Sequence, residues 1–271
     1  MGTIISQTLD LLKSKYAARI AQLAISDVRI GAMMTAVRLS DGSCGIASTV
    51  LDEGPNCDKD QRDFGDFSPT RIKGRSVLEL FETQKKINVL GTLRIAALNA
   101  ISSQVLQSGG YRVLDDTDPL DLVDLSSAKT VCVVGAFHSY IKKLAAGDHQ
   151  LSVLELKEQA LLPEHRHLFV PATEYPRVLP DCDIVVITGY TLVNNTFDGL
   201  LQAVSPGARV IVTGPSSSLI PDVLFANGVE LIGATRVTDP AALFEVVGEA
   251  GSGYHLFRYC ARKICIQKLK E

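Results

Sequence analysis

The sequence predicts an α/β protein in which a small α+β domain precedes a mostly parallel, doubly wound sheet. Three observations lead there. From Thr130 onward, apolar β-branched runs alternate with helical patterns, at "TVCVVG", "LSVLELK", "HLFVP", "DIVVITG", "ARVIVTG", "VELIGAT" and "KICIQK". Strands that are apolar throughout are buried on both faces, and helices between them make the connections parallel. Before residue 111 the pattern is different: a helical period, a hairpin signal, a polar stretch and two further helices. A chain of 271 residues, 46% of them apolar, is long enough for two such domains.

Taken in order, Ile5, Leu9, Leu12, Tyr16, Ile20 and Leu23 recur at helical spacing and predict a long first helix. Asp41-Gly42 between the runs "VRIGAMMTAVRL" and "SCGIASTVL" predicts a hairpin, because the pair accepts the positive φ of a tight turn. Residues 52–73 are rich in Gly, Pro and Asp, with Cys57 in their midst, and read as a long loop; such loops are functional or mobile. Helices follow at residues 76–84 and 92–107. The five aspartates from Asp115 to Asp124 lack the spacing and the central glycine of a calcium loop, so they read as a solvated linker with a short helix after Pro119. The expected division is residues 1–115 and 125–271, with the boundary between residues 111 and 129.

Charge and cysteines exclude several function classes. A net charge of −3 with no dense Lys/Arg run argues against nucleic acid as a partner. No long uninterrupted apolar run and no signal-like start are present, so no membrane partner and a cytoplasmic setting are expected. "MGTIIS" fits a loose acylation pattern at Gly2 and Ser6, but it continues as an ordinary amphipathic helix. The six cysteines form no CxxC pair, which fits reduced thiols better than a disulfide framework, and Cys132 inside a strand reads as a small buried hydrophobe.

In parallel sheets of this kind ligands bind beyond the carboxyl ends of the strands, at the point where strand order reverses. The first such end carries Gly135 alone, without the further glycines that admit a pyrophosphate. Glu155 ends the second strand about twenty residues later, where a carboxylate can hold a ribose or polyol. The fourth and fifth strands end in "TGYTLVNNT" and "TGPSSS". Glycine followed by hydroxyl and amide side chains suits a carboxylate or phosphate at a helix start; the alternative is that Asn195, Thr196 and the serines only cap helices. Capping leaves the cluster of Tyr190, Thr191, Asn194 and Asn195 unexplained. His138 is a candidate acid or base. His165 and His167 in "EHRH" could meet a metal from one face of a strand, but lack a third defined ligand, so no metal site is assigned.

The segments "DIVVITGYTLVNNTFDGLL" and "GARVIVTGPSSSLIPDVLFANGVELIGATRVTDP" closely resemble an uncharacterised prokaryotic family described as heavy-metal-chelation proteins. The resemblance covers essentially the whole chain. It falls on Thr188, Gly189, Thr191, Asn194 and Thr196, on Gly214, Pro215 and Ser216, and on Gly91 and Asn99 of "GTLRIAALNA"; Asn195 stands where the family commonly has glycine. It implies an enolase N-terminal-like domain joined to a Rossmann-like domain, with a site between them for chelator-, pterin- or flavin-type molecules.

The expected cleft is lined by Gly135, Glu155, Thr188, Gly189, Tyr190, Thr191, Asn194, Asn195, Gly214, Pro215, Ser216 and Ser217, with the loop around Glu53 closing over it. As an enzyme the protein would condense or hydrolyse such a metabolite, with Glu53 or His138 as acid/base and Asn194 orienting the substrate. The alternatives are a non-catalytic binding protein and an S-adenosylmethionine-dependent methyltransferase. The sequence names no cofactor, and homo-oligomerisation is compatible with it.

Overall fold

The computed structural model describes residues 3–50, 63–107 and 110–269. Helix α1 (Thr3–Ile20) buries Ile4, Ile5, Leu9, Leu12 and Ile20, the stripe its spacing predicts. Strands β1 (Ile25–Ile30), β2 (Met34–Leu39) and β3 (Cys44–Ser48) form an antiparallel sheet in that order. The hairpin at Asp41-Gly42 joins β2 and β3: Gly42 has φ +84°, and the Asp41 carboxylate accepts from the Ser43 N–H at 3.0 Å. The run "VRIGAMMTAVRL" is two strands and not one. It reverses at Gly31, whose N–H donates to the Met34 carbonyl at 2.9 Å. A Cβ at Gly31 would lie 2.1 Å from the Val247 carbonyl oxygen, so only glycine admits the neighbouring backbone there.

Helix α2 (Val77–Glu82) starts at Ser76, which caps the Leu78 N–H at 3.2 Å. Helix α3 (Asn88–Gln107) begins a turn earlier than expected and crosses β2 and β3. A Cβ at Gly45 would sit 2.1 Å from the Ala96 carbonyl and 2.3 Å from the Ala100 nitrogen, so this glycine sets the distance between helix and sheet. Among the described residues α3 alone is long and apolar enough to cross a membrane; it is mostly buried, as the core helix of this sheet. Of the long loop, the part with Glu53 and Cys57 lies outside the described residues.

The chain then enters the large sheet. Its elements are β4 (Arg112–Asp115), β5 (Thr130–Val134), α4 (His138–Leu144), β6 (Gln150–Glu155), β7 (Phe169–Pro171), α5 (Tyr175–Val178), β8 (Ile184–Thr188), α6 (Tyr190–Val193), α7 (Phe197–Ala203), β9 (Arg209–Thr213), α8 (Pro221–Ala226), β10 (Val229–Val237), α9 (Pro240–Gly248), α10 (Gly253–Tyr259) and β11 (Ala261–Gln267). The order is β4-β11-β10-β9-β8-β5-β6-β7, parallel from β10 through β7, with β11 antiparallel to both neighbours. All seven strands expected after Thr130 form, and β8 and β9 are parallel neighbours.

Strand alternation sorts the core. Cys132, Val134, Val185, Ile187 and Val212 face a cluster continuous with α1 and α3. Val131, Val133, Ile184, Val186 and Ile211 face Tyr140, Ile141 and Leu144 of α4. Both faces are covered, which is why these strands read as unbroken apolar runs.

Three sequence expectations are corrected here. Arg112–Asp115, assigned to the first domain, is an edge strand of the large sheet, with Leu114 opposite Cys265. Of the five aspartates, Asp115, Asp116, Asp121 and Asp124 are exposed and the short helix after Pro119 forms as a 3-10 turn, as expected; the exception is Asp118, which is half-buried and bonded to the Tyr140 phenol. His165 and His167 lie on a 3-10 helix (Pro163–Leu168) and not on a strand, whose two-residue period would have aligned them.

Candidate functional site

Strand order reverses between β5 and β8, so the crevice rule points to their carboxyl ends. Gly135 turns there with φ +101°, and a Cβ on it would lie 3.1 Å from the Thr188 methyl, so the two strand ends meet closely. Gly189 packs against the serine loop: its N–H donates to the Thr213 carbonyl at 2.8 Å, and a Cβ would lie 2.8 Å from the Ser217 nitrogen. Gly214 has φ +124° and donates to the Gly233 carbonyl at 3.1 Å.

A cavity of 730 Å³ opens over the ends of β5, β8, β9 and β10. Thr188, Tyr190, Thr213, Gly214 and Pro215 form its sheet side. Phe137, Ser139 and Tyr140 enter from the turn and first residues of α4, and Tyr254, Phe257 and Arg258 from α10. Met34 and Ser48 of the small sheet and Thr117, Asp118 and Lys263 complete the wall. The size suits a small organic molecule. At its floor Gly233 lacks the Cβ that would lie 2.2 Å from the Thr213 hydroxyl and 2.8 Å from Pro119.

The polar centre of this cavity is Asp118. Its carboxylate accepts from the Leu120 N–H at 3.1 Å and from the Tyr140 phenol, and Lys263 Nζ stands 3.4 Å from its other oxygen. Burial, with Asp118 beside it, pushes the Tyr140 phenol well above the usual tyrosine range, so it stays a neutral donor. Phe137 packs on Tyr140 with ring centroids 5.5 Å apart, and Lys263 lies 5.6 Å from the Phe257 ring centre. Thr235 also borders the cavity, but its Oγ1 is buried without a hydrogen-bond partner. Together these groups offer aromatic faces, a cation and hydroxyls to one ligand.

The predicted site residues divide. Thr188, Tyr190, Gly214 and Pro215 line the cavity; Gly135, Glu155, Gly189, Thr191, Asn194, Asn195, Ser216 and Ser217 do not. Ser216 and Ser217 are fully buried and their hydroxyls are used inside the protein. Ser216 Oγ accepts from the Ser48 N–H at 2.8 Å, and Ser217 Oγ donates to the Gly214 and Gly233 carbonyls, each at 2.6 Å. Asn99 completes that seam, its amide donating to the carbonyls of Ile46, Pro215 and Ser216 at 2.7, 3.3 and 3.2 Å. A single 3-10 turn, Pro215–Ser217, starts on the serine loop, and the next α-helix, α8, begins only at Pro221.

The other loop also organises itself. Asn194 Oδ1 accepts from the Thr196 hydroxyl at 2.7 Å and its N–H at 3.2 Å, and Thr191 donates to the Thr188 carbonyl at 2.5 Å. Asn195 adopts φ +62°, taking the left-handed turn itself where the resembling family commonly has glycine. The Glu155 carboxylate accepts from its own neighbour, the Leu156 N–H, at 2.6 Å. His138 is exposed at the first position of α4. Glu53 lies outside the described residues. What sequence reasoning missed is the α10 wall, Asp118 and Lys263. The available signal was the aromatic pair Phe137 and Tyr140 directly after the first strand turn.

Soft metals need converging thiolates or imidazoles, and hard ions converging carboxylates. Among the described residues no three His, Cys, Asp or Glu side chains are grouped to hold one. Cys44, Cys132, Cys182, Cys260 and Cys265 are free and buried. The donor set therefore does not fit a metal coordinated directly by these residues.

The comparisons with known proteins agree with this architecture. The chain is 25% identical over 198 residues to an uncharacterized protein of Methanocaldococcus jannaschii, covering 72% of this chain and 70% of that one. Its fold matches a protein of unknown function from Pyrococcus horikoshii, with TM-score 0.76, 19% identity and coverage of 97% of this chain and 98% of that one. A second match, also of unknown function, from Desulfitobacterium hafniense, has TM-score 0.71, 24% identity and coverage of 96% and 99%. A family model described as "Putative heavy-metal chelation" (DUF4213) matches residues 13–102. Residues 118–266, more than half of the chain, match DUF364, which carries the same description, and the protein belongs to that family.

Proposed function

We propose that the cavity binds a small planar metabolite rich in oxygen and nitrogen, of the pterin, flavin or organic-chelator type, at a cleft between the two sheet-bearing regions. The observation that carries this reading is the wall itself: Phe137, Tyr140, Tyr190 and Phe257 supply ring faces, while Thr188, Ser139 and Thr213 supply donors and acceptors around them. A connection to heavy metals would then run through an organic chelator carried in the cavity, because no three His, Cys, Asp or Glu side chains are grouped for a metal among the described residues. Free, buried thiols fit a reducing cytoplasmic setting.

Condensation or hydrolysis of that metabolite is the second reading. It is favoured by Asp118 and Tyr140, a carboxylate and a neutral phenol bonded to each other on the cavity wall. It is weakened by His138 and Asn194, which do not line the cavity. The methyltransferase reading loses its ribose partner, since Glu155 is likewise absent from the wall.

Native mass spectrometry of the purified protein and thermal shifts with a panel of pterins, flavins and chelators test the proposal. A true ligand at about a hundredfold excess over its Kd adds about 2.7 kcal/mol, a shift of several degrees. Thr188→Trp, which fills the cavity from its sheet side, is expected to abolish the shift. No retained molecule and no stabilising member of the panel would sink the reading. Turnover of the bound molecule separates enzyme from carrier.

A further inference from the structure

Beside the cavity lies a second hollow of 540 Å³, bordered by Asp116, Phe257, Arg258, Arg262 and Lys263. Phe257, Arg258 and Lys263 border both spaces, so one strip of chain, running from α10 into β11, separates them. The two differ in character. The cavity is walled largely by rings and hydroxyls, whereas the hollow gathers three cations around one carboxylate.

Those cations are loosely engaged. Lys263 Nζ is 3.4 Å from Asp118, and Arg262 is 3.9 Å from Asp116 in a pair whose side chains are 60% and 68% exposed. Arg258 donates to a neutral group, the Tyr254 phenol at 2.9 Å, and among the described residues it has no carboxylate in ion-pair range. Three cations against two carboxylates leave a net positive strip, and exposed pairs of this kind give up their partners at little cost. Guanidinium forks match carboxylate and phosphate oxygens, and the adjoining rings keep water from one side of them.

Resting on the reading of the cavity as a small-molecule site, we propose that its ligand bears an acidic group, carboxylate or phosphate, on an extension that leaves the planar head, crosses Lys263 and reaches Arg258 and Arg262. The head occupies the aromatic cavity and the acid lies over the basic strip. Lys263 exchanges Asp118 for the ligand's acid, so Asp118 positions the lysine until the ligand arrives.

Matched probes test this on the full-length protein: riboflavin against riboflavin 5′-phosphate, and pterin against pterin-6-carboxylate, titrated by fluorescence. In at least one pair the acidic member is expected to bind at least roughly tenfold more tightly, the worth of one charge-assisted hydrogen bond. That advantage shrinks in high salt. It falls to about twofold or less in Lys263→Met and in Arg258→Met, and Lys263→Arg restores most of it. These side chains are exposed, so unchanged melting temperatures will show that the variants fold. The pair that discriminates tells phosphate from carboxylate. Equal binding with and without the acid overturns the inference while leaving the cavity reading intact. No binding by any of the four overturns the inference and the pterin and flavin forms of the cavity reading together.

Discussion

At the end of β9 the chain supplies two polar regions that lie back to back. Toward β3 and α3, Ser216 meets Ser48 and the Asn99 amide spans three carbonyls; Ser216 is fully buried, Asn99 nearly so and Ser48 half-buried. Toward β10, β11 and α10, Thr213, Gly214 and Pro215 face an open cavity. Residue types are nearly the same on both sides. What differs is whether the donors are already consumed, and that decides between a joint and a binding surface. A buried polar group must find a partner within the protein, whereas a group at a cavity wall can keep one for a ligand.

The contrast predicts large stability effects at the joint and small ones at the cavity. Gly45→Val is expected to cost the most, about 3 kcal/mol, because the new carbon meets α3 backbone at 2.1 Å and helix and sheet must part. Denaturant unfolding measures this; a loss below about 1 kcal/mol would mean that α3 shifts freely and the joint is not rigid. Asn99→Leu keeps the volume but leaves the Ile46, Pro215 and Ser216 carbonyls short of a donor. About 2 kcal/mol should be lost, with ligand affinity altered only through the joint.

Tyr140→Phe belongs to the other side of the comparison. Asp118 keeps the Leu120 N–H and Lys263, so stability should fall by only about 1 kcal/mol while affinity for an acidic ligand changes more. The same phenol has a pH signature. Its folded pKa is raised, first by burial and then by Asp118, as that of Tyr111 is by burial and Asp222. Both contributions are fully present below the unfolded value of about 10 and are lost as pH rises past it, because the unfolded chain then releases protons that the folded one keeps. Unfolding midpoints measured across this range should decline, and less steeply in Tyr140→Phe; identical slopes would contradict the assignment. The smallest effect is expected for Arg236→Gln, which removes an exposed pair with Asp115. Less than about 1 kcal/mol should be lost, and a larger loss in a denaturation curve would mean that the acidic crossover is held chiefly by charge.

Sequence reading succeeded where one local signal determined the outcome. The strands from β5 to β11 were legible because burial on both faces leaves unbroken apolar runs, and Asp41-Gly42 because its backbone requirement is local. The break between β1 and β2 was hidden, since the need for Gly31 arises from the Val247 carbonyl far along the chain. The place of β4 was hidden for a similar reason: its partner is the last strand. At the site, the strand-end rule found the right end of the sheet and picked Thr188, Tyr190, Gly214 and Pro215. It could not tell which serines and asparagines face inward, because "TGPSSS" reads the same whether its hydroxyls meet a ligand or Ser48. Asp118 looked like one of five solvated aspartates, and only the fold reveals that it meets Tyr140 from another element.

The pairing of β11 between β10 and β4 also bears on how the protein is made. On the ribosome, Arg112–Asp115 emerges long before Ala261–Gln267, the strand that flanks it, so through most of synthesis its edge has nothing to hydrogen-bond. The last strand closes the sheet and, through Lys263, brings in one wall of the cavity in the same step. A nascent chain stalled before Ala261 is therefore expected to be sensitive to protease around Arg112 and unable to hold ligand, and emergence of Ala261–Gln267 should end both conditions together.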